Sequence, residues 1–409
     1  MPEWKKLPLS LAELCIDTTL RCGQSFRWRR INDEWHCVLQ GKLISLKQDP
    51  THLHYKLASP RKLPTSERKS AEDDCVLSLL NRYFVLSQSL SNMYQQWAAS
   101  DANFARRATA FAGIRILNQD AWETLVSFIC SSNNNISRIT QMVQKLCVHY
   151  GPYVGDIEGE KFHDFPRPEA LAGSGVESHL RELGFGYRAR FIAETARIVS
   201  TDRPAGWLHG LRNPDCPALE ISNNKLEDTE TKTDTKPPTY RAAHEALLEL
   251  PGVGPKVSDC VCLMGLGWWE SVPVDTHVWQ IAQRDYGFGK GVKTKTLNKA
   301  MYDAVGDHFR KIWGPQAGYA QSVLFTANLK SFAEQAAGKT EAAKEEVSVA
   351  EVEVKPEESK SDISTTASVR TKKRKAVTVE AAVIKAEEEN GVEAGGRRTR
   401  STKRAKISG

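Results

Sequence analysis

Apolar and polar positions alternate over residues 1–60, in short runs that turn residues separate. Such alternation is typical of strands that bury one face. Two of these runs, 35–39 and 42–46, flank Gln40 and Gly41, a pair suited to the turn of a hairpin. The sequence therefore predicts a small β-rich module at the N-terminal end.

After this region the apolar positions recur at the three- and four-residue spacing of helices. Asp120 is a suitable N-cap for the helix that follows it, and the asparagines at 133–135 separate that helix from the next. A last helix is predicted over 315–329, whereas the charged stretch 61–74 is predicted to be a loop. The fold class is thus α+β, with the β-rich module packed on an all-helical core.

Two polar segments interrupt the helical pattern. Residues 213–238 form a Pro-bounded insertion, and beyond Phe332 the sequence has neither an aromatic residue nor a cysteine. Segments of that composition bury too little apolar surface to fold, so the insertion is predicted to be a mobile loop and the tail to be disordered. We therefore predict an N-terminal domain at 1–115, a helical domain at 116–332 and a tail at 333–409.

Composition and charge narrow the class of protein. The chain has 409 residues, enough for two or three domains, and its net charge of +6 permits binding to nucleic acid. The nine cysteines follow no paired spacing, so we expect reduced thiols inside a cell rather than disulfides or a metal site. The sequence has no signal-peptide pattern and no apolar run of ~18 residues, so we expect a soluble monomer that does not contact a membrane.

Two basic clusters lie in the tail, at 372–375 and 397–406. Clusters of this kind serve as nuclear-import signals or as loose contacts to nucleic acid. We therefore expect a nuclear protein that an import receptor recognises through these clusters. The alternative is a merely solvated tail.

The most specific local pattern is a pair of apolar-periodic segments joined by the turn Pro251-Gly252-Val253-Gly254. Two helices joined by so short a glycine turn form a helix-hairpin-helix. Glycine lets the backbone approach a partner closely, and the second helix begins with free N–H groups and a positive dipole end. The hairpin is therefore predicted to hold a phosphate.

Lys256 and Asp275 are the candidate chemical groups near this turn. Lys256 follows the turn directly, and Asp275 precedes the helical segment HVWQIAQRD, where it can act as the N-cap. A lysine at this position can bind phosphate as a cation, or it can act as an amine nucleophile beside a carboxylate. Cleavage of an N-glycosidic bond uses both groups, because the amine can attack C1′ while the carboxylate stabilises an oxocarbenium-like sugar. Spacing alone leaves both interpretations open.

Longer motifs resemble a known family. LPGVGPKVSDC (250–260) and VPVDTHVWQIAQRD (272–285) are similar to the Gly-Pro-Asp superfamily of helix-hairpin-helix DNA glycosylases. Further motifs narrow the resemblance to the eukaryotic 8-oxoguanine DNA glycosylase/AP lyases, over 7–332 apart from the insertion. These motifs are GQSFRWR (23–29), SFICSSNNNISRIT (127–140), LGFGYRAR (183–190) and AQSVLF (320–325).

The resemblance implies a TBP-like N-terminal module and a defined reaction. Lys256 would be the Schiff-base nucleophile and Asp275 its electrostatic partner. The enzyme would excise 8-oxoguanine opposite cytosine from duplex DNA and then cleave the abasic strand by β-elimination. We expect neither a cofactor nor a catalytic metal ion, since relatives that hold an iron–sulfur cluster carry four cysteines after this region and none follows Cys262 here.

The resemblance also implies which residues receive the damaged base once it is flipped out of the duplex. Phe325 and Cys260 would sandwich the purine, and Gln321 would read its Watson–Crick edge. Gln321 and Phe325 share one face of the predicted helix because they are four residues apart. The main-chain carbonyl of Gly23 would accept the N7 hydrogen that oxidised guanine has and guanine lacks.

Other residues would hold the duplex. Asn133 would fill the gap that the flipped base leaves, and Tyr187 would wedge beside the widowed cytosine. Arg138 and Arg188 would bond that cytosine, since the planar guanidinium suits a base edge. Without the resemblance, both arginines would be taken for solvated charges on helix faces. His277 would contact a backbone phosphate. The hairpin contact would come from Gly252, Val253 and Gly254, with a structural monovalent cation on their carbonyls.

Two other functions stay open. The same fold could act on another damaged purine, such as an alkylated one, or the chain could be a helix-hairpin-helix protein that binds DNA without catalysis. The Lys256 and Asp275 pair argues against a silent binder, and Gly23, Gln321 and Phe325 argue against another substrate. The stretch 267–270, Gly-Trp-Trp-Glu, departs from the family pattern, and no function is assigned to it.

Overall fold

The computed structural model describes residues 3–58, 66–216, 219, 237–290, 297–329 and 332, and for residues 66–73 and 109 it describes the backbone alone. The predicted tail, its two basic clusters and most of the 213–238 insertion lie outside the described residues. What the sequence predicts for them stays a prediction.

An antiparallel sheet carries the N-terminal β-structure. Its strands are Lys5–Pro8 (β1), Arg29–Ile31 (β2), Glu34–Leu39 (β3), Lys42–Gln48 (β4) and His52–Leu57 (β5). They lie in the order β1-β5-β4-β3-β2. The predicted hairpin is confirmed, because Leu39 pairs with Lys42 across the turn. Gln40 and Gly41 have φ angles of 49° and 70°, the left-handed pair that a two-residue turn of this kind requires.

Helices make up most of the remaining described chain. Their bounds are Ile16–Thr19 (α1), Ser66–Tyr83 (α2), Leu90–Ser100 (α3), Ala102–Ala108 (α4), Ala121–Ile129 (α5), Ile136–Tyr150 (α6), Val176–Glu182 (α7), Arg188–Arg197 (α8), Trp207–Gly210 (α9), Tyr240–Leu248 (α10), Pro255–Met264 (α11), Thr276–Tyr286 (α12), Lys299–Trp313 (α13) and Ala317–Asn328 (α14). The α+β class is thus confirmed. No helix in the described part of the chain is long and apolar enough to span a membrane.

Two local predictions differ from the structure. The loop predicted over 61–74 is wrong from Ser66 onward, because α2 begins there. The first half of this helix, SERKSAEDD, has no apolar spacing that would predict a helix. A second hairpin, Tyr153–Ile157 (β6) with Glu160–His163 (β7), was not predicted. Its strands are too short and too polar to produce a clear alternation of apolar and polar residues. In the structure, the turn residues Glu158 and Gly159 both have positive φ angles.

The core of the helical region is built around α5, all 9 residues of which are buried. Asp120 caps this helix as predicted, with its side chain accepting the Glu123 N–H at 2.7 Å. Helix α11 lies against α5: the N–H of Gln119, just before α5, donates to the carbonyl of Met264, the last residue of α11, at 2.8 Å. A buried arginine, Arg27, connects the sheet region to this core through Glu123, with 3.0 Å between Nε and Oε1. The elements that carry the candidate site therefore rest on one rigid centre.

Candidate active site

The glycine turn is packed against α8. Thr195 Oγ1 donates to the Pro251 carbonyl at 3.1 Å, and Gly252 has a φ of +77°. A Cβ atom at Gly252 would lie 2.7 Å from three carbons of Phe191, so glycine is required there both for conformation and for space. The predicted helix-hairpin-helix is thus present, as α10, the turn and α11.

The N-terminal end of α11 is open to a ligand. Pro255 occupies the first turn as predicted, and the N-cap residue Gly254 makes no side-chain cap. Gly254 and Pro255 are exposed, whereas Val253 is buried and anchors the turn. Uncapped N–H groups and a positive dipole end make this surface suitable for a phosphate.

The Gly252→Ala variant is expected to lose about 2 kcal/mol of stability, because a left-handed residue with a side chain is strained and the new methyl group meets Phe191. Thermal unfolding would measure this loss. Gly210→Ala is the matched control, because Gly210 is exposed and a Cβ there meets nothing within 4 Å. Equal melting temperatures for the two variants would contradict the proposed packing of the turn.

The Lys256 side chain is half-buried between α11 and the end of α5. Its Nζ lies 3.3 Å from Ser131 Oγ and 4.8 Å from the ring centroid of Phe128. The amine therefore points toward the end of α5 and the loop at 130–135. That loop was known from the sequence only as part of a motif, and Ser131 was not among the predicted site residues.

Asp275 is the N-cap of α12, as the sequence predicts. One carboxylate oxygen accepts the Val278 N–H at 2.9 Å, and the side chain is half-buried. Cys260, one turn after Lys256, lies within the influence of both charges. Burial raises the pKa of the Cys260 thiol to about 11, the Lys256 ammonium opposes that rise, and the Asp275 carboxylate adds to it. The structure thus brings Lys256 and Asp275 around one neutral thiol, although no direct ion pair joins them in the described part of the chain.

Gln321 and Phe325 share one face of α14, as predicted. Gln321 is 2% exposed, and its Nε2 has no hydrogen-bond partner among the described residues. Phe325 is half-buried, and the exposed His277 packs edge-on against it at a ring-centroid distance of 5.8 Å. Because His277 follows closely after Asp275, this contact connects the carboxylate to the face that carries Gln321.

Gly23 lies near the same face of α14. Its φ is +86°, and a Cβ atom would lie 3.1 Å from Ile136 Cδ1, so this position also requires glycine. The neighbouring Cys22 belongs to the small buried cluster against which Phe325 packs. Gly23 is therefore close to the residues that the resemblance assigns to the damaged base.

The predicted duplex-binding residues surround the loop at 130–135. Tyr187 donates from its hydroxyl to the Ser132 carbonyl at 3.1 Å, and Arg188 donates to the carbonyls of Ser132 and Asn133 at 3.2 and 3.1 Å. Arg188 is only 4% exposed, so it is not the solvated charge that its spacing alone suggests. Asn133 and Arg138 are exposed, and Asn133 has a left-handed φ of 46°.

Within the 267–270 stretch, Trp268 is hydrogen-bonded to the segment after α9 and Trp269 holds the start of α14. Trp268 Nε1 donates to the Leu211 carbonyl at 2.9 Å, while the Trp269 carbonyl accepts the Gly318 N–H at 2.8 Å. Trp269 also packs against Tyr319 with a ring-centroid distance of 5.8 Å. This departure from the family pattern thus has a structural role, because it fixes the helix that carries Gln321.

A buried carboxylate lies directly before Cys260. Asp259 accepts hydrogen bonds from the hydroxyls of Tyr240 at 2.5 Å, Ser271 at 2.8 Å and Tyr302. These donors come from α10, from α13 and from the segment that leads to Asp275. Sequence reasoning missed this cluster, since its members are spread over more than sixty residues and no spacing connects them.

Within the described residues, no group of three or more His, Cys, Asp or Glu side chains is arranged to hold a metal ion. The candidate site consists of an amine and a thiol on α11, a carboxylate at the start of α12 and a buried amide on α14. Such a set suits nucleophilic attack on a sugar with recognition of a polar ring edge.

Comparison with known proteins places the chain among DNA repair enzymes. Residues 6–125 match the family "8-oxoguanine DNA glycosylase, N-terminal domain", and residues 126–305 match the "HhH-GPD superfamily base excision DNA repair protein" family. The chain is 37% identical to an N-glycosylase/DNA lyase of Saccharomyces cerevisiae, over 79% of this chain and 86% of that protein. It is 35% identical to the N-glycosylase/DNA lyase OGG1 of Arabidopsis thaliana, over 80% of this chain and 81% of that protein.

A solved structure has the same fold. The 8-oxoguanine glycosylase/lyase of Clostridium acetobutylicum, in complex with double-stranded DNA containing cytosine opposite 8-oxoguanine, aligns with a TM-score of 0.60 and 22% identity. The alignment covers 80% of this chain and 96% of that one.

Proposed function

Because the chain belongs to the N-glycosylase/DNA lyase family of 8-oxoguanine repair enzymes, we propose that it excises 8-oxoguanine opposite cytosine through a Schiff base on Lys256. Membership makes the chain a bifunctional glycosylase and lyase that acts on duplex DNA. Beyond family membership, we propose that Lys256 is the nucleophile and that cytosine is the preferred opposite base.

The buried amide of Gln321 is the observation that carries the substrate proposal. An unpaired buried donor costs about 1–3 kcal/mol, so Nε2 is favourably placed only when a ligand accepts its hydrogen bond. A purine inserted beside Phe325 would offer such an acceptor on its Watson–Crick edge. Cys260 is a neutral thiol and suits the opposite face of an uncharged ring.

Discrimination between 8-oxoguanine and guanine is assigned to the carbonyl of Gly23. The oxidised base carries a hydrogen on N7 that this carbonyl can accept, whereas guanine would bring a lone pair against it. The positive φ of Gly23, together with the closeness of Ile136 to the place where a Cβ would lie, supports a backbone that is held in place for this purpose.

The covalent step is assigned to Lys256 and Asp275. The lone pair of the amine attacks C1′, the bond from C1′ to the base nitrogen breaks, and the base leaves with that electron pair and takes up a proton. The Asp275 carboxylate stabilises the positive charge that develops on the sugar. Loss of the amine proton and opening of the sugar ring give the Schiff base. Removal of a C2′ proton then expels the 3′ phosphate, and water hydrolyses the imine to restore Lys256.

The opposite base is assigned to Arg138 and Arg188. Arg188 is held by two loop carbonyls, so its planar donors would be oriented before DNA binds. The exposed Asn133 would occupy the gap in the stack, and Tyr187 would lie beside the unpaired cytosine.

Excision should be strongest for 8-oxoguanine opposite cytosine, weaker opposite adenine, and negligible for an alkylated purine, as single-turnover assays on matched duplexes would measure. Arg138→Ala and Arg188→Ala should each reduce the preference for cytosine over adenine about tenfold, since one base-edge contact is worth about 1–3 kcal/mol. Arg190→Ala is the matched control, because Arg190 is exposed on the same helix and pairs with Glu194.

Equal excision opposite cytosine and adenine by the wild-type protein would overturn the roles of the two arginines. Preferred release of the alkylated purine would replace the proposed substrate by the alternative one. Binding of all duplexes without release of any base would leave only a DNA-binding role.

A further inference from the structure

The hydroxyl of Ser131 is oriented by its own helix. Ser131 lies just beyond the end of α5, and its Oγ donates to the Phe128 carbonyl at 2.7 Å. A serine hydroxyl has one proton and two acceptor lone pairs. Since the proton is engaged with Phe128, the contact with Lys256 Nζ at 3.3 Å makes Ser131 the acceptor and the amine the donor.

This hydrogen bond restricts an otherwise flexible side chain. A lysine has four rotatable carbon–carbon bonds, and ordering it costs about 1.5–2 kcal/mol. Around Lys256 the Ser131 oxygen fixes one N–H, the Phe128 ring lies 4.8 Å from the nitrogen, and Cys260 follows one turn later on α11. These contacts limit the orientations that the lone pair of a neutral Lys256 amine can take.

The loop that carries Ser131 is itself fixed. The Ser131 N–H donates to Phe128 O at 3.0 Å, and Asn134 Nδ2 donates to the Cys130 carbonyl at 2.9 Å. Arg188 and Tyr187 hold the next carbonyl, that of Ser132. The acceptor presented to the amine therefore has a defined position before DNA binds.

We propose that Ser131 is a positioning residue that orients the Lys256 amine for attack on C1′. The inference rests on the proposed function, because it takes Lys256 as the nucleophile. A reacting atom that is free to rotate spends little time in the productive geometry, so loss of the contact slows the covalent step rather than DNA binding.

The Ser131→Ala variant should form the borohydride-trapped adduct about tenfold more slowly than wild type under single-turnover conditions, the loss expected for one hydrogen bond to a reacting group. Its Kd for an 8-oxoguanine:cytosine duplex and its melting temperature should stay unchanged. Ser131→Thr keeps the hydroxyl and should restore most of the rate. Ser178→Ala is the matched control, because Ser178 Oγ makes the same local bond, to the Gly175 carbonyl at 3.0 Å, in the exposed helix α7.

The outcomes separate this inference from the proposed function. If wild type forms no adduct, the Schiff-base mechanism fails. If wild type forms the adduct and Ser131→Ala forms it equally fast, Lys256 stands and the role of Ser131 is wrong. A Ser131→Ala variant with weakened DNA binding or a lowered melting temperature but an unchanged rate of trapping would likewise reject positioning. Should the alanine variant not fold, Ser131→Cys keeps the shape, weakens the acceptor and is expected to show the same slow trapping.

Discussion

Lys256→Gln is expected to remove covalent trapping by borohydride and strand cleavage altogether, and to slow base release on the order of a thousandfold or more. Glutamine has no nucleophilic amine, so neither attack on C1′ nor a Schiff base can follow. The measurement is a single-turnover reaction with an 8-oxoguanine:cytosine duplex, in which the covalent protein–DNA adduct, the released base and the nicked strand are quantified separately.

The same variant should still bind DNA. Glutamine preserves the polarity of the side chain, and the end of α11 that is proposed to bind phosphate is formed by backbone groups of the turn. Lys145→Gln is the matched control, because Lys145 is an exposed lysine on α6 that donates to the Leu183 carbonyl at 2.8 Å. It should keep full trapping. An undiminished adduct in Lys256→Gln would assign the nucleophile to another amine.

Local chemistry made several elements predictable. The caps formed by Asp120 and Asp275 were visible because an acidic residue before an apolar-periodic segment binds the free N–H groups of the first turn. The turn at Gln40-Gly41 and the α10–α11 hairpin were visible because left-handed backbone favours glycine. In each case the cause lies within a few residues of its effect.

Contacts between distant residues could not be predicted in this way. Arg188 is buried because it donates to the carbonyls of a loop that precedes it by more than fifty residues, and spacing on its own helix suggests a solvated charge. The contact of Ser131 with Lys256 likewise connects two separate motifs. The family resemblance implies a role for Arg188 in binding the opposite base, but the packing that holds this arginine is visible only in three dimensions.

Asp259→Ala is expected to reduce the free energy of unfolding by about 3–5 kcal/mol, because several buried hydroxyls lose their acceptor at once and a cavity opens. The substitution leaves the hydroxyls of Tyr240, Ser271 and Tyr302 without their common acceptor and creates a cavity in α11. Chemical denaturation followed by circular dichroism would measure the loss.

Asp259→Asn separates the charge from the hydrogen bonds. The amide keeps one acceptor oxygen and nearly the same volume, so this variant should lose no more than about 1.5 kcal/mol at neutral pH. Burial raises the pKa of Asp259, against the opposing effects of His244 and the three hydroxyls. Because the pKa of Asp259 is higher in the folded state than in the unfolded state, folding favours the protonated carboxyl. This contribution to the free energy of unfolding is complete below the unfolded-state pKa of about 3.9. It is lost as the pH rises through the folded-state pKa.

An asparagine cannot ionise and lacks this decline, so the stability of Asp259→Asn relative to wild type should increase as the pH rises above about 4. An unchanged difference across that range would mean that the carboxyl group ionises as freely in the folded state as in the unfolded state.

Tyr240→Phe and Tyr302→Phe each remove one hydrogen-bond donor and leave the Asp259 acceptor satisfied by the others, so each should cost about 1 kcal/mol of stability. If either costs as much as Asp259→Ala, the network depends on that single bond and not on the shared carboxylate. Because Ser271 donates to Asp259, the same cluster connects α11, which carries Lys256, to the segment that leads to Asp275.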